Sequence, residues 1–162
     1  DKLSSVILEN VVRGELWNFE MQEDIIEASR LLDESIERSI ANVALREFTQ
    51  VHAVYRAAIV KADSFVSRSI LLGRVMDEKE IDIAIAYTDD GKISIRRKDG
   101  ADATVIDCSR IAQEFREGGG HSGAAGGFID AKKQEKSDSD SAALAEITRG
   151  LESYFSKAVI SR

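Results

Sequence analysis

The sequence is poor in the residues that most often carry chemistry. Its 162 residues include one cysteine, two histidines and no proline. A single cysteine cannot form an internal disulfide bond, which fits a reducing, cytoplasmic location. The missing proline carries no functional indication. No apolar run approaches the roughly 18 residues of a membrane span, and no signal peptide is visible, so we expect no membrane partner. Because the chain begins with Asp1 rather than methionine, we expect either processing or, as the favoured interpretation, a piece of a longer protein.

The overall charge argues against broad nucleic-acid binding. Twenty-nine acidic residues outweigh 22 lysines and arginines, which leaves a net charge of −7. Such a surface repels a polyanion as a whole. A small basic pocket that takes a few phosphates stays compatible with this balance.

Positive charge is concentrated in one predicted strand, which contains Lys92, Arg96, Arg97 and Lys98. The two-residue period of a strand puts Ser94 and Arg96 on one face and Ile93 and Ile95 on the other. Two interpretations stay open. The strand is either a solvated edge protected by charge or a strand that binds phosphate or carboxylate through an arginine fork.

The most distinctive stretch is the run GGGHSGAAGG at 118–127, in which six of ten residues are glycine. Glycines leave a bare backbone that a ligand can approach, with N–H groups free to turn toward an anion. A histidine beside them can add a hydrogen bond or a proton. The run therefore predicts a binding site at Gly118, Gly119, Gly120 and His121, with a flexible turn that binds nothing as the alternative.

Two common phosphate motifs do not fit this run. Gly118, Gly120 and Gly123 match G-x-G-x-x-G, but that fingerprint must follow a strand and open a helix. Here residues 107–117 are predicted to form a helix, and a strand is expected after the run. A P-loop needs a lysine that the run lacks. Context excludes both motifs.

The periodicity predicts an α/β fold with a mixed β-sheet of about four or five strands flanked by helices. Helices are expected over 2–13, 22–48, 63–75, 107–117 and 142–158. Strands are expected over 51–60, 81–87 and 92–98, with a hairpin turn at Asp90-Gly91 and a further strand at 128–129. Residues 1–50 are interpreted as an N-terminal helical extension or connector, and residues 51–162 as the main domain.

Four further residues have two interpretations each. Cys108 lies beside Asp107 at a predicted helix start, where a thiol pKa can fall, but a small buried residue is the favoured interpretation. His52 is expected to be a structural strand histidine rather than a ligand. Trp17 and Phe19 are expected to pack, with base stacking as the alternative.

The pattern KISIR at 92–96, then VID at 105–107, Ile111-Ala112 and GGGHSGAAG resembles the DHH-associated C-terminal domain of DHH-family phosphoesterases. These include RecJ-like exonucleases, oligoribonuclease-like nano-RNases and cyclic dinucleotide phosphodiesterases. The resemblance is strong over residues 81–129, weaker from residue 51 and absent from the first fifty.

The resemblance implies a domain that binds a nucleotide phosphate or the end of a short oligonucleotide without cutting it. Gly118, Gly119, Gly120 and His121 would form the substrate loop. Arg96 would contact phosphate. Ser94 and Arg97 are further candidate contacts, with a side chain that points into solvent as the alternative for Arg97. Two positions depart from the family pattern, because Arg97 replaces a usually small residue and Gly127 is an extra glycine.

The resemblance also implies a missing partner, a DHH catalytic domain whose histidines and aspartates hold two Mn²⁺ ions. This chain has no D-H-H motif, so we expect no catalytic residue, metal site or cofactor within it. The predicted function is substrate binding in a phosphoesterase that hydrolyses short oligonucleotides or dinucleotides. A nucleotide-sensing regulatory module and a structural dimerisation domain, with a homodimer formed through the helix at 22–48, are the alternatives.

Overall fold

The computed structural model describes residues 19–50, 53–130 and 139–158. The chain divides into two compact units, Asp1–Arg38 and Ser39–Arg162. The described elements are α1 (Phe19–Ala41), β1 (Ala44–Gln50), β2 (Ala53–Lys61), α2 (Arg68–Glu78), β3 (Ile83–Tyr87), β4 (Lys92–Arg97), α3 (Cys108–Ala112), β5 (Arg116–Gly120), β6 (Ala124–Phe128) and α4 (Ser139–Ala158). Among these residues no helix is both long and apolar enough to span a bilayer.

The second unit contains one mixed sheet with the strand order β1-β2-β3-β4-β6-β5. Strands β2 and β3 are parallel, and α2 provides the crossover that a parallel pair requires. The other neighbouring strands run antiparallel. The predicted α/β fold with a mixed, helix-flanked sheet and an N-terminal helix is confirmed, with six strands rather than four or five.

The first extra strand is β1, which lies in the segment predicted as the end of a long helix. Helix α1 ends at Ala41, and Ala44–Gln50 pairs with β2 instead. Phe48 is buried on this strand, and its ring stacks on that of Phe155 with 4.9 Å between centroids. This contact joins residues that are distant in sequence, so tertiary packing overrides the helical pattern. The helix predicted over 2–13 lies outside the described residues.

The glycine run supplies the other difference, because it forms a β-hairpin rather than a loop. The predicted helix 107–117 is limited to α3, and Arg116–Gly120 and Ala124–Phe128 are both strands. A Cβ atom at Gly118 would lie 1.6 Å from the backbone oxygen of Ala112. Glycine is normally depleted in strands, but here it permits a close backbone approach that a side chain would prevent.

The two faces of the sheet pack against different helices. The core face packs on α3 and α4 through a cluster that includes Ile59, Ile85, Ile95, Ile106, Ile111, Ile147 and Leu151. On the other face, the small side chains of Ala84 and Ala86 lie on the strand that α2 covers. Helix α2 packs on β3 and reaches β4.

We call the part of this second face that belongs to β4, β6 and β5 the open face. Lys92 and Arg96 of β4, Ala124 of β6 and Gly119 of β5 are all exposed. Because Ile93 and Ile95 are buried in the core, the alternation of β4 predicted from the sequence matches the burial observed.

Two glycine-to-alanine substitutions test this packing. We expect Gly118→Ala to lower the free energy of unfolding by about 3 kcal/mol, because the new methyl overlaps a backbone oxygen. Gly73→Ala in α2 meets nothing within 4 Å and should raise stability by about 0.5–1 kcal/mol. Urea denaturation of both variants measures the difference. Equal effects would contradict the close approach at Gly118.

Candidate functional site

The open face brings predicted site residues from three strands together. Ser94 on β4 pairs with Gly126 on β6, which pairs in turn with Gly119 on β5. Arg96 pairs with Ala124, and Ala124 exchanges two backbone hydrogen bonds with His121. Directly paired residues share a face of the sheet. The row from Arg96 to His121 therefore spans two strand spacings, about 10 Å.

The turn that carries His121 is tightly closed. The His121 N–H donates to the Ala124 oxygen at 2.8 Å, and the Ala124 N–H donates back at 3.2 Å, which leaves Ser122-Gly123 as a two-residue loop. The Ser122 oxygen accepts the backbone N–H of Cys108 at 2.9 Å. The imidazole is exposed at the end of a hairpin whose backbone is held in place.

Arg97 and Arg96 are neighbours in sequence but face opposite sides of the sheet. The Arg97 Nη1 donates to the Ile106 oxygen at 2.8 Å and to the Ser122 oxygen at 3.3 Å. Its backbone N–H donates to the Gly123 oxygen at 3.0 Å. The structure thus places Arg97 as a support for the His121 turn, whereas Arg96 lies on the open face.

Arg68, the first residue of α2, adds a cation that the sequence interpretation missed. Its Nε donates to the Ser94 Oγ at 2.8 Å. Arg96 Nη1 lies 3.5 Å from the Ser69 oxygen, so the first two residues of α2 contact both Ser94 and Arg96 of β4. Within the described ranges, no carboxylate pairs with either Arg68 or Arg96 at salt-bridge distance. No sequence signal marked Arg68, because only the docking of α2 on β4 brings it to Ser94.

Lys92, the first residue of β4, already forms an ion pair. Lys92 Nζ lies 2.7 Å from Asp90 Oδ2. Hydrogen bonds from Lys92 and Thr88 lower the pKa of Asp90 to about 2, so this carboxylate stays charged at neutral pH. Lys92 therefore offers less attraction to an anion than the two arginines do.

Some glycines of the hairpin serve packing, and others do not. Gly120 has φ +144°, and a Cβ atom there would lie 2.5 Å from the Cα atom of Ala125. At Gly119 and Gly123 a Cβ atom would meet nothing within 4 Å, and neither residue has a positive φ. Since the fold allows a side chain at Gly119, the bare backbone there is a feature of the open face and not of the packing.

Cys108 is a buried structural residue, as favoured from the sequence. It is fully buried, and desolvation raises the pKa of its thiol from 9.0 to about 11, so the alternative of a lowered pKa is wrong. Asp107 caps α3 by accepting the backbone N–H of Ser109 at 2.9 Å. His52, Trp17 and the side chain of Phe19 lie outside the described structure.

The described residues of the open face do not include a cluster of metal-ligating side chains. In the part of the chain that the structure describes, no three or more histidines, cysteines, aspartates or glutamates group in a way that could hold a metal ion. The site is instead a cationic and hydroxyl-bearing surface with exposed backbone. Its chemistry suits the binding of an anion.

No protein-family model matches the chain, and no curated protein matches it. Among solved structures, it is similar to an exopolyphosphatase-related protein from Bacteroides fragilis, with 17% identity, 98% of this chain and 45% of that chain covered, and a TM-score of 0.53. This likeness shows a shared fold.

Two further structures are similar at a lower TM-score of 0.44. They are a pGpG-specific phosphodiesterase from Vibrio cholerae, with 14% identity over 93% of this chain and 50% of that one, and an uncharacterized protein from Helicobacter pylori G27, with 20% identity over 79% and 31%. The chain thus spans no more than half the length of any of the three.

The burial of Cys108 predicts how the chain responds to alkali. Its folded pKa, about 11, lies above the ordinary 9.0, so the thiol's contribution to stability is complete below pH 9 and is lost as the pH rises through 11. We expect the free energy of unfolding to fall less between pH 9 and pH 11 in Cys108→Ala than in the unsubstituted chain. Tyr154, whose pKa burial also raises, keeps its own share of the alkaline loss in both proteins.

Thiol labelling gives a second measurement. At pH 8 the folded chain should react with iodoacetamide far more slowly than the urea-unfolded chain, because a buried thiol is both protonated and inaccessible. Equal labelling rates would show that Cys108 is exposed.

Proposed function

We propose that this chain is the substrate-binding domain of a DHH-family phosphoesterase that acts on short oligonucleotides or dinucleotides. The observation that carries the proposal is the juxtaposition of Arg96, Ser94 and His121 with the bare backbone of Gly119 on one open face. Arg68 extends this cluster from α2. The fold likeness to an exopolyphosphatase-related protein accords with a phosphate-bearing substrate.

Each side chain of the cluster has a distinct part in holding a phosphate. The guanidinium groups of Arg68 and Arg96 donate charge-assisted hydrogen bonds to its oxygens. Because the Ser94 Oγ accepts from Arg68, its own hydroxyl hydrogen is available for donation to the ligand. His121 donates from the other end of the row, and Gly119 lets the ligand lie against the strand.

Hydrolysis belongs to a partner in this proposal. A DHH catalytic domain would supply two Mn²⁺ ions that polarise the phosphoester and activate water. The described residues of this chain do not fit such a metal centre. They bind and orient the ester, so the activity of the whole protein depends on the second domain.

Arginine substitutions test the binding site directly. We expect Arg96→Ala and Arg68→Ala each to weaken binding of a 5′-phosphorylated RNA dinucleotide by about 10-fold or more, because each removes a charge-assisted hydrogen bond. His121→Ala should weaken it less. Arg149→Ala, an exposed arginine on α4, is the matched control. Calorimetric titration measures the affinities, and unchanged binding in the Arg96 and Arg68 variants would refute the site.

The substitution Gly119→Ala distinguishes an effect on ligand affinity from an effect on stability. Gly119→Ala should leave the free energy of unfolding within about 0.5 kcal/mol, because its Cβ enters open space. It should weaken dinucleotide binding about 10-fold by crowding the ligand. Gly73→Ala, whose Cβ is equally free, should leave affinity unchanged. Full affinity in Gly119→Ala would mean that the ligand does not lie against β5.

A further inference from the structure

Phe128 is an aromatic residue on the open face rather than in the core. It pairs with the exposed Lys92 of β4 and with Arg116 of β5, so all three share that face. Its neighbour Gly127 faces the other way, where a Cβ atom would lie 3.4 Å from Phe115. Phe128 is partly exposed and stands outside the hydrophobic core cluster of the described residues.

The ring lies one row from the phosphate-binding cluster. Phe128 is two residues from Gly126, and Gly126 pairs with Ser94, so the rows are about 7 Å apart along the strands. This separation is comparable to that between the phosphate and the base within one nucleotide. Gly126 and Gly119 share the row of Ser94 and carry no side chains, so the backbone beside Ser94 is bare on both strands.

We propose that Phe128 stacks on the nucleobase of a ligand whose phosphate lies on Ser94, Arg96 and Arg68. The inference rests on the proposed function and adds the residue that would bind the base. The site takes a nucleotide unit rather than inorganic phosphate or polyphosphate, because the energy of stacking is available only to a base. Stacking on one ring tolerates different bases, since every base has a π-face.

The charges around Phe128 support the placement of a base, rather than a phosphate, on its ring. Lys92 pairs with Asp90, and Arg116 lies 3.7 Å from Glu117, so both cations beside the ring already have an acidic neighbour. Arg68 and Arg96 have no carboxylate partner in the described ranges, and they lie at Ser94 and in the row beyond it, where the phosphate is placed. Charge and aromatic surface are thus arranged in the order of phosphate and base along one nucleotide.

Titration of the full chain with AMP, ribose 5-phosphate and tripolyphosphate tests the inference. AMP should bind about 10-fold more tightly than ribose 5-phosphate, which differs from it by the base. Phe128→Leu, which keeps apolar bulk but loses the ring, should remove this preference and leave the affinity for ribose 5-phosphate unchanged. Phe128→Tyr should retain the preference. Circular dichroism spectra verify that both variants are folded.

The outcomes separate the two proposals. Equal affinities for AMP and ribose 5-phosphate, both weakened by Arg96→Ala, would overturn base stacking and leave the phosphate site intact. A preference for AMP that survives Phe128→Leu would place the base elsewhere and also overturn the inference, as would tighter binding of tripolyphosphate than of AMP. If no ligand binds, or if Arg96→Ala changes nothing, the proposed function fails and the stacking inference fails with it.

Discussion

The close backbone contact between the glycine hairpin and its neighbours is the constraint on which the site depends. Gly118 lies against the Ala112 carbonyl at the end of α3, and Gly126 lies against the Ile93 carbonyl of β4. A side chain at Gly118 would push β5 away from α3, and one at Gly126 would push β6 away from β4. Because β6 is in direct register with β4, that displacement would also separate His121 and Gly119 from Arg96 and Ser94.

Adjacent arginines lie on opposite faces of the sheet, so that Arg97 supports the turn while Arg96 is left for the proposed ligand. The period of a strand sends Arg96 to the open face and Arg97 to the opposite face, where its guanidinium satisfies the carbonyls of Ile106 and Ser122. The Arg97 hydrogen bonds hold the turn in place from the core face, while His121 remains exposed. A binding surface built on paired strands is more precisely positioned than one on a free loop, because register leaves little freedom between its residues.

The proposed nucleotide ligand follows from the order of groups along the open face. Arg68 of α2 donates to the Ser94 hydroxyl, and Arg96 of β4 contacts the backbone oxygen of Ser69 at the start of the same helix. Beside them lies a strip of glycine backbone, and beyond the strip lies the ring of Phe128. An acidic protein can hold a phosphate here because the cations are local and the net charge acts over the whole surface.

The sequence by itself determined the α/β class, the alternation of β4 and the location of a candidate anion site, because these follow from local periodicity and residue chemistry. Only the tertiary structure decided that Ala44–Gln50 is a strand, that the glycine run is a hairpin, that Arg68 contacts Ser94, and that Phe128 lies one row from Ser94 on the same face. They involve contacts between segments that lie apart in the chain, such as Phe48 with Phe155 and Gly126 with Ile93. Local propensity carries no information about such contacts, and for glycine and for short apolar segments it is too weak to resist them.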